Sequence, residues 1–370
     1  MSTEYCAVNF VPVTNDGDQK ALEYCGACMI NPFYPISSRD TAHLAAKEIV
    51  FADSTGFQAL LSFPTKRRVV LSTVARPEES TDEVLFLNPF HNCMESARTH
   101  TTTAFLIDYP TDKDDTDEVY NWKLRMSQQA RDLTLPLAAK LCPETALAIA
   151  LQPRHMGELE SYFDDMAVPE VRTYGFPLRD SNVLDIAYVL SFLHEREVPK
   201  VHMLGSSAPH RIMVLAAAAG LGMFERITFD SNTWQAYFGG KRYFFDHETL
   251  RRRPRKKKLY PGARIKLALD QHGGDFDLFL SGLRPPNHAT VKEWIGIYNI
   301  RVIQYFTDRL AGLARRGELA DFVQGCWLPQ KRKTEVLQAI EMLGLAVEQG
   351  HDAAADYYRR TKPPEARKTS

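Results

Sequence analysis

The chain has 370 residues, and 45 Lys and Arg stand against 46 Asp and Glu for a formal net charge of −1. With 44% hydrophobic and 11% aromatic residues, it is excluded from the disordered, collagen-like and small disulfide-scaffold classes. The length suits one large α/β domain or two ordinary ones, and the balanced charge argues against a protein that coats nucleic acid over its whole surface while allowing a local basic patch.

In chain order, Met1 to Tyr5 lack a basic stretch followed by an apolar one, so no secretory signal is expected. No apolar run approaches the roughly 18 residues of a membrane span. Six cysteines in this length suggest reduced thiols and a cytoplasmic location. Short apolar runs then recur, several ending in a polar residue or a glycine. They are Ile49–Ala52 before Asp53, Ala104–Ile107 before Asp108, Leu147–Leu151 before Gln152, Val171–Tyr174 before Gly175, Val201–Leu204 before Gly205, and Ile227–Phe229 before Asp230. Val69–Leu71 and Val84–Leu87 are two further candidates. Such continuous runs fit buried parallel strands. Between them, helices are predicted over Trp122–Leu133, Met156–Met166, Ser181–Glu195 and Pro209–Ala219, with Ser181 as N-cap, Pro209 in a first turn and Gly220 as a stop.

This alternation predicts a single α/β domain over residues 1–370, a (β/α)8 barrel. A doubly wound open sheet is the alternative, but no GxGxxG follows the first strand. Residues 239–290 read as a basic insertion, in which Arg251-Arg252-Arg253-Pro254-Arg255-Lys256-Lys257-Lys258 holds seven basic residues in eight. Residues 291–325 read as closing helices, split into 291–306 and 308–315 and onward. Residues 326–370 read as a C-terminal helix (Glu335–Glu348) and a tail frayed from Lys362.

In a barrel, residues at the C-terminal strand tips face one shared pocket, so Asp53, Asp108, Gln152, Gly205 and Asp230 are candidates to converge. A strand-tip carboxylate is partly desolvated and either pairs, shifts its pKa or acts. Asp53 is followed by Ser54-Thr55-Gly56-Phe57-Gln58, where small residues admit a planar ligand and Phe57 can stack on it. Asp230 is followed by Ser231-Asn232-Thr233-Trp234. Two carboxylates suit chemistry at a glycosidic carbon, one attacking C1′ and the other moving the leaving group's proton.

Phe51-Ala52-Asp53-Ser54-Thr55-Gly56-Phe57-Gln58 resembles the Asp-Ser-Gly-Gly-Phe-Gln motif of the tRNA-guanine transglycosylase superfamily, with Thr55 in place of the first Gly. Val201 to Gly205, Pro209, Gly220 and Phe229-Asp230-Ser231 are similar to that family's glycine loop, helix and nucleophile strand. Phe229 to Trp234, with Arg242-Tyr243, looks closest to the archaeal and DNA-modifying branches, and the Pro-Thr-Arg tract of the bacterial branch is missing. Trp294 to Val323, with Tyr298-Asn299 and Gly317-Glu318-Leu319, resembles the closing helix, and the likeness spans roughly residues 45–325.

The resemblance implies that Asp230 is the nucleophile at C1′ and Asp53 the general acid/base. It implies that Asp108 reads the N1/N2 edge of the base, Gln152 its carbonyl side and Gly205 the region of its 7-substituent, with Ser54, Phe57 and Gln58 in the same pocket. A carboxylate is the natural double acceptor for an N1–H and N2–H2 edge. The family's zinc ligands are missing: no Cys lies between Asp230 and Tyr298, and Tyr298 stands where a His precedes Asn. No metal and no cofactor are therefore expected. The stretch after Phe322 is too short for the RNA-binding domain of the archaeal enzymes. The implied activity is replacement of guanine in DNA by a free 7-deazaguanine (preQ0 type). A tRNA enzyme and a non-catalytic nucleic-acid-binding subunit are the alternatives. Implied partners are DNA or tRNA, the free base, and a second copy or proteins of a DNA-modification cluster, with no membrane.

Several features have plainer readings. The basic run (Arg251, Arg252, Arg253, Arg255, Lys256, Lys257, Lys258) is either a solvated loop or a set of phosphate contacts. Cys25-Gly26-Ala27-Cys28 has zinc-like spacing but no second pair, which favours buried thiols. His202, on an apolar strand, reads as a core histidine. Trp234, Tyr237, Tyr243 and Phe244 read as core or as a stacking platform for a nucleotide.

Overall fold

The computed structural model describes residues 6–13, 25–31, 36, 38–54, 68–71, 84–178, 181–235, 237–238, 241–254 and 291–362. Eight parallel strands alternating with helices make an α/β fold of the (β/α)8 barrel type; in sheet order they are β1 (Ala7–Pro12), β10 (Arg226–Ser231), β9 (Lys200–Leu204), β8 (Thr173–Pro177), β7 (Ala146–Ala150), β6 (Thr103–Phe105), β3 (Ile49–Ala52) and β2 (Ala27–Ile30). The chain divides into two compact units, residues 11–177 and residues 1–10 with 178–370.

In the first unit, the end of β1 (Ala7–Pro12) leads to Val13, which bridges in parallel to Met29 of β2 (Ala27–Ile30). Helix α1 (Ser38–Ala45) precedes β3 (Ile49–Ala52), which pairs with β2 so that Cys28 faces Val50 in the register. Four fully or nearly fully buried residues of these strands, Cys28, Ile30, Val50 and Ala52, pack with Leu44 of α1. Two strands, β4 (Arg68–Leu71) and β5 (Val84–Leu87), pair in parallel with each other in a separate two-stranded sheet. Helix α2 (Pro89–Arg98) starts at Asn88, whose side chain accepts from the Phe90 and His91 N–H groups. Strand β6 (Thr103–Phe105) then pairs with β3 and with β7 (Ala146–Ala150).

Helix α3 (Asp117–Leu141) is capped by Thr116, which accepts from Val119 N. It outruns the predicted 122–133 and carries Pro136 inside. That proline is exposed, so the carbonyl it leaves without a donor can be hydrated. Helix α4 (Leu159–Met166), entered by a 3-10 turn at Met156–Glu158, leads to β8 (Thr173–Pro177), which pairs with β7.

The second unit holds α5 (Val183–Glu195), β9 (Lys200–Leu204), α6 (Pro209–Gly220) and β10 (Arg226–Ser231). The cap of α5 is Asn182 rather than the predicted Ser181: its side chain accepts from the Leu184 and Asp185 N–H groups, and Asp185 accepts in return from Asn182 N. Pro209 occupies the first turn of α6, as predicted. Gly220, predicted as the stop, is the last residue of that helix, where a Cβ would lie 2.6 Å from Ala314 Cβ and 2.8 Å from Ala314 C. The chain leaves the helix at Gly222, which is left-handed (φ +68°) and lets Met223 N–H donate to the Ala218 carbonyl at 3.2 Å. Ala314 belongs to α7 (Val291–Arg315), one continuous helix where two were predicted.

Strands β11 (Tyr237–Phe238), β12 (Lys241–Phe245) and β13 (Arg252–Pro254) form a small antiparallel sheet. Helix α8 (Leu319–Gly325) lies within the expected closing helices, and two helices, α9 (Gln330–Gln349) and α10 (His351–Thr361), follow where a single C-terminal helix was expected. Tyr358 donates to Asp185 at 2.6 Å and Lys362 pairs with it at 2.7 Å, holding α10 to the start of α5. Burial of Leu190, Leu193, Leu215, Met342 and Leu343, all at 0% exposure, contributes about 1.5–3 kcal/mol each to this packing.

Two of the expected barrel strands are corrected. Val69–Leu71 and Val84–Leu87 are strands outside the eight-stranded sheet, and β1 and β2, which were not predicted, take the two places. A four-residue apolar run signals a strand without naming its partner. The Cys-Gly-Ala-Cys segment is the entry to β2: Cys25 and Cys28 are buried, and Lys47 Nζ donates to the Cys25 carbonyl at 2.6 Å. Burial pushes the Cys28 thiol up, away from the thiolate a metal needs. Among the described residues no helix is long and apolar enough to cross a membrane.

Candidate active site

Asp230 sits near the end of β10, and the strand register explains its surroundings. His202 of β9 lies opposite Thr228, and side chains two apart on a strand share a face, so Asp230 points the same way as both. His202 is fully buried. Its Nε2 lies 3.1 Å from Asp230 Oδ1, and its Nδ1 lies 2.8 Å from Thr228 Oγ1. Thr228 Oγ1 also lies 3.2 Å from the Val201 carbonyl, a second acceptor for its hydroxyl proton. Gly205, just past β9, donates its N–H to the same Asp230 oxygen at 2.8 Å. It does so in the left-handed region (φ +86°), where glycine pays no Cβ penalty.

Both contacts therefore fall on Oδ1, and among the described residues Oδ2 accepts no hydrogen bond. The carboxylate is made asymmetric, with one oxygen anchored and the other available. Loops after β9 and β10 are tied together next to it: Thr233 Oγ1 lies 2.6 Å from Ser207 Oγ and accepts from Ser231 Oγ at 2.9 Å.

Asp108 follows β6 and is set up differently. It is 2% exposed. Gln152, two residues past β7, donates its side-chain amide to Asp108 Oδ2, and the Gln152 carbonyl is held by the Thr111 hydroxyl at 2.6 Å. Asp108 Oδ1 is buried and unpartnered among the described residues. Desolvation pushes the Asp108 carboxyl up to about 7, and the charge of Asp53 adds to the rise, while a hydrogen bond from Ser54 and a backbone donor oppose it. Asp53 is fixed through its N–H, which donates to the Ile30 carbonyl at 2.8 Å at the end of β2. Asp53, Ser54, Asp108 and Gln152 thus form one polar group, and Asp230, Gly205 and His202 another.

Phe57, Gln58, Arg255, Lys256, Lys257 and Lys258 lie outside the described residues. Arg251 and Arg252 are exposed, Arg251 donates to the Trp327 carbonyl at 3.0 Å, and Arg253 lies in β13. Trp234 is 3% exposed, so it is core and not a platform for a nucleotide. Asn299 joins it to β12, donating to the Trp234 carbonyl at 3.1 Å and accepting from Phe245 N at 2.9 Å. The Tyr298-Asn299 pair, with Tyr298 at 1% exposure, thereby anchors α7. Among the described residues no group of three or more His, Cys, Asp or Glu is arranged to hold a metal ion. No protein-family model matches the chain, and no curated protein matches its sequence.

The residue that sequence reasoning under-read is His202. It is buried, as a core histidine should be, yet both ring nitrogens are engaged with polar partners and one partner is Asp230. A partial signal was present: His202 interrupts the apolar stretch Val201–Leu204, and Thr228 and Asp230 alternate with Ile227 and Phe229, which puts those two on one face of their strand.

Proposed function

We propose that the chain is a base-exchange glycosyltransferase that replaces guanine in DNA with a free 7-deazaguanine of the preQ0 type, through a covalent bond from Asp230 to C1′. The observation that carries this reading is the asymmetric Asp230 carboxylate, with Oδ1 in contact with His202 Nε2 and the Gly205 N–H and Oδ2 accepting no hydrogen bond among the described residues. A carboxylate with one free oxygen is the nucleophile that a retaining displacement at a sugar carbon needs.

In the proposed reaction the target nucleotide is flipped out of the duplex, because attack on C1′ needs access from the face opposite the base. A lone pair of Asp230 Oδ2 forms the bond to C1′, and the C1′–N9 bond breaks with its electrons passing to guanine. Guanine leaves as a neutral molecule with a proton from Asp53. The incoming base then gives its own N9 proton to Asp53, N9 attacks C1′, and the Oδ2–C1′ bond breaks with its electrons returning to Asp230. Protons and charge balance over the exchange, and Asp53 finishes as it began.

The Asp108–Gln152 pair is suited to reading either base. A guanine or 7-deazaguanine edge offers N1–H and N2–H2, which would give Asp108 Oδ1 the donor it lacks and offset its desolvation. Arg251 to Lys258 would meet phosphates in a sequence-independent, salt-sensitive manner.

The test is to incubate the protein with radiolabelled guanine and either duplex DNA or tRNA. Label in DNA that is lost with Asp230→Ala is the expected result. Label in tRNA only would move the substrate to RNA, and label in neither would favour a non-catalytic binding protein.

A further inference from the structure

We infer that His202 is a positioning residue that donates Nε2–H to Asp230 Oδ1 while its Nδ1 is engaged by Thr228, and that it governs breakdown of the covalent intermediate. This inference rests on the transglycosylase reading for its kinetic part only. Its structural part concerns the location of a proton.

The argument starts from donor and acceptor counting. An ionised carboxylate only accepts, so the 3.1 Å contact between Asp230 Oδ1 and His202 Nε2 requires the proton on Nε2. The other nitrogen faces the Thr228 hydroxyl at 2.8 Å. If that hydroxyl donates to Nδ1, the ring is the neutral Nε2–H tautomer. If it donates to the Val201 carbonyl at 3.2 Å, Nδ1 must donate to it and the ring is doubly protonated. Both arrangements place a proton on Nε2. The tautomer with a bare Nε2 would set two lone pairs against each other in a fully buried place, which is costly.

The consequence follows from where the charge goes. In the covalent intermediate Oδ2 is bonded to C1′ and Oδ1 becomes a carbonyl oxygen. When the incoming base displaces the ester, the electrons return to the carboxylate and Oδ1 regains its anionic character. Hydrogen bonds to an anion are stronger than those to a neutral carbonyl. The Nε2–H of His202 and the N–H of Gly205 therefore favour release of Asp230 over retention of the ester. Removing His202 should slow breakdown more than formation, so the adduct accumulates. A residue that merely fills space would affect both steps alike.

The experiment has two arms. In the first, the full-length protein labelled with 15N in histidine is examined by NMR, with the His202 signals assigned by their loss in His202→Gln. A pyrrole-type, protonated Nε2 for His202 is expected, and a pyridine-type Nε2 would overturn the inference whatever the activity. In the second, single-turnover formation and breakdown of the adduct are followed for wild type, His202→Leu, His202→Gln and Thr228→Val. Breakdown should slow about 10- to 100-fold in His202→Leu, the scale of one charge-assisted hydrogen bond. Gln, whose amide can reach the same point, should restore most of the rate, and Thr228→Val should slow breakdown less than His202→Leu. Equal slowing of formation and breakdown in a folded His202→Leu or Thr228→Val protein would overturn the kinetic part. If His202→Leu does not fold, Thr228→Val and His202→Gln decide the same question. A wild-type protein that forms no adduct while Nε2 is protonated would contradict the transglycosylase reading and the kinetic part, and leave the proton assignment standing.

Discussion

Asp108 and Asp230 are both strand-end carboxyls buried to a similar depth, at 2% and 5% exposure, yet their surroundings prepare them for opposite tasks. Asp230 has both its polar contacts on one oxygen, a histidine ring nitrogen and a backbone N–H, which leaves the other oxygen for the proposed attack on C1′. Asp108 keeps Oδ1 buried and unpartnered among the described residues, with the Gln152 amide on Oδ2, and desolvation carries it up to about 7 against the opposing hydrogen bond from Ser54. Burial alone does not decide what a carboxyl does. The supply of donors at each oxygen does.

The largest expected effect breaks the comparison at its reactive side. Asp230→Asn should lower base exchange by on the order of 10⁴-fold or more, the usual scale for loss of a nucleophile, with folding retained. Labelled-guanine incorporation and a circular dichroism melt check it together, and exchange within tenfold of wild type would remove Asp230 from the chemistry.

Asp108→Asn tests the other side through stability. The folded protein keeps the Asp108 proton up to about 7, whereas the unfolded chain releases it in the ordinary carboxylate range. Stability therefore falls as pH rises through that window and levels off above it. Asn has no proton to lose, so the variant should gain up to roughly 4 kcal/mol on the wild type at pH 8 and about nothing at pH 4. Urea midpoints across that range measure it, and parallel pH curves would contradict the assignment.

Two glycines sharpen the account of what holds Asp230 in place. Gly220→Ala forces a Cβ against Ala314 and should cost about 1–3 kcal/mol by overpacking two helices, read as a lower melting temperature. Gly205→Ala meets no atom within 4 Å, so its cost is the left-handed backbone alone, about 1 kcal/mol. It should slow exchange by weakening the Gly205 donor while leaving the melting temperature nearly unchanged, and a large fall in stability would show that more than φ is at stake.

The fold was largely legible because its central strands are continuous apolar runs punctuated by polar ends, as at Ile49–Ala52 and Val201–Leu204. The first two strands were not. Ala7–Pro12 alternates in burial and Ala27–Ile30 is four residues long behind a cysteine pair whose spacing suggested metal. Conversely, β4 and β5 have the composition of barrel strands and pair with each other instead. Pairing is a long-range fact that local composition does not encode.

At the candidate site, the neighbourhood of Asp108 and Gln152 could be expected from their shared place after successive strands. His202 could not be ranked by residue type alone. Its role emerges only when the register sets it opposite Thr228 and next to Asp230. Pro136 shows the same limit in a helix, since the exposed face that tolerates it is set by tertiary packing.

The most direct test of the central claim is to quench the protein with guanine-containing DNA and map the covalent adduct by peptide mass spectrometry. The account predicts a deoxyribosyl ester on the peptide that carries Asp230, chased away by added free 7-deazaguanine. An adduct on any other residue, or exchange of label into DNA with no adduct on Asp230, would contradict it.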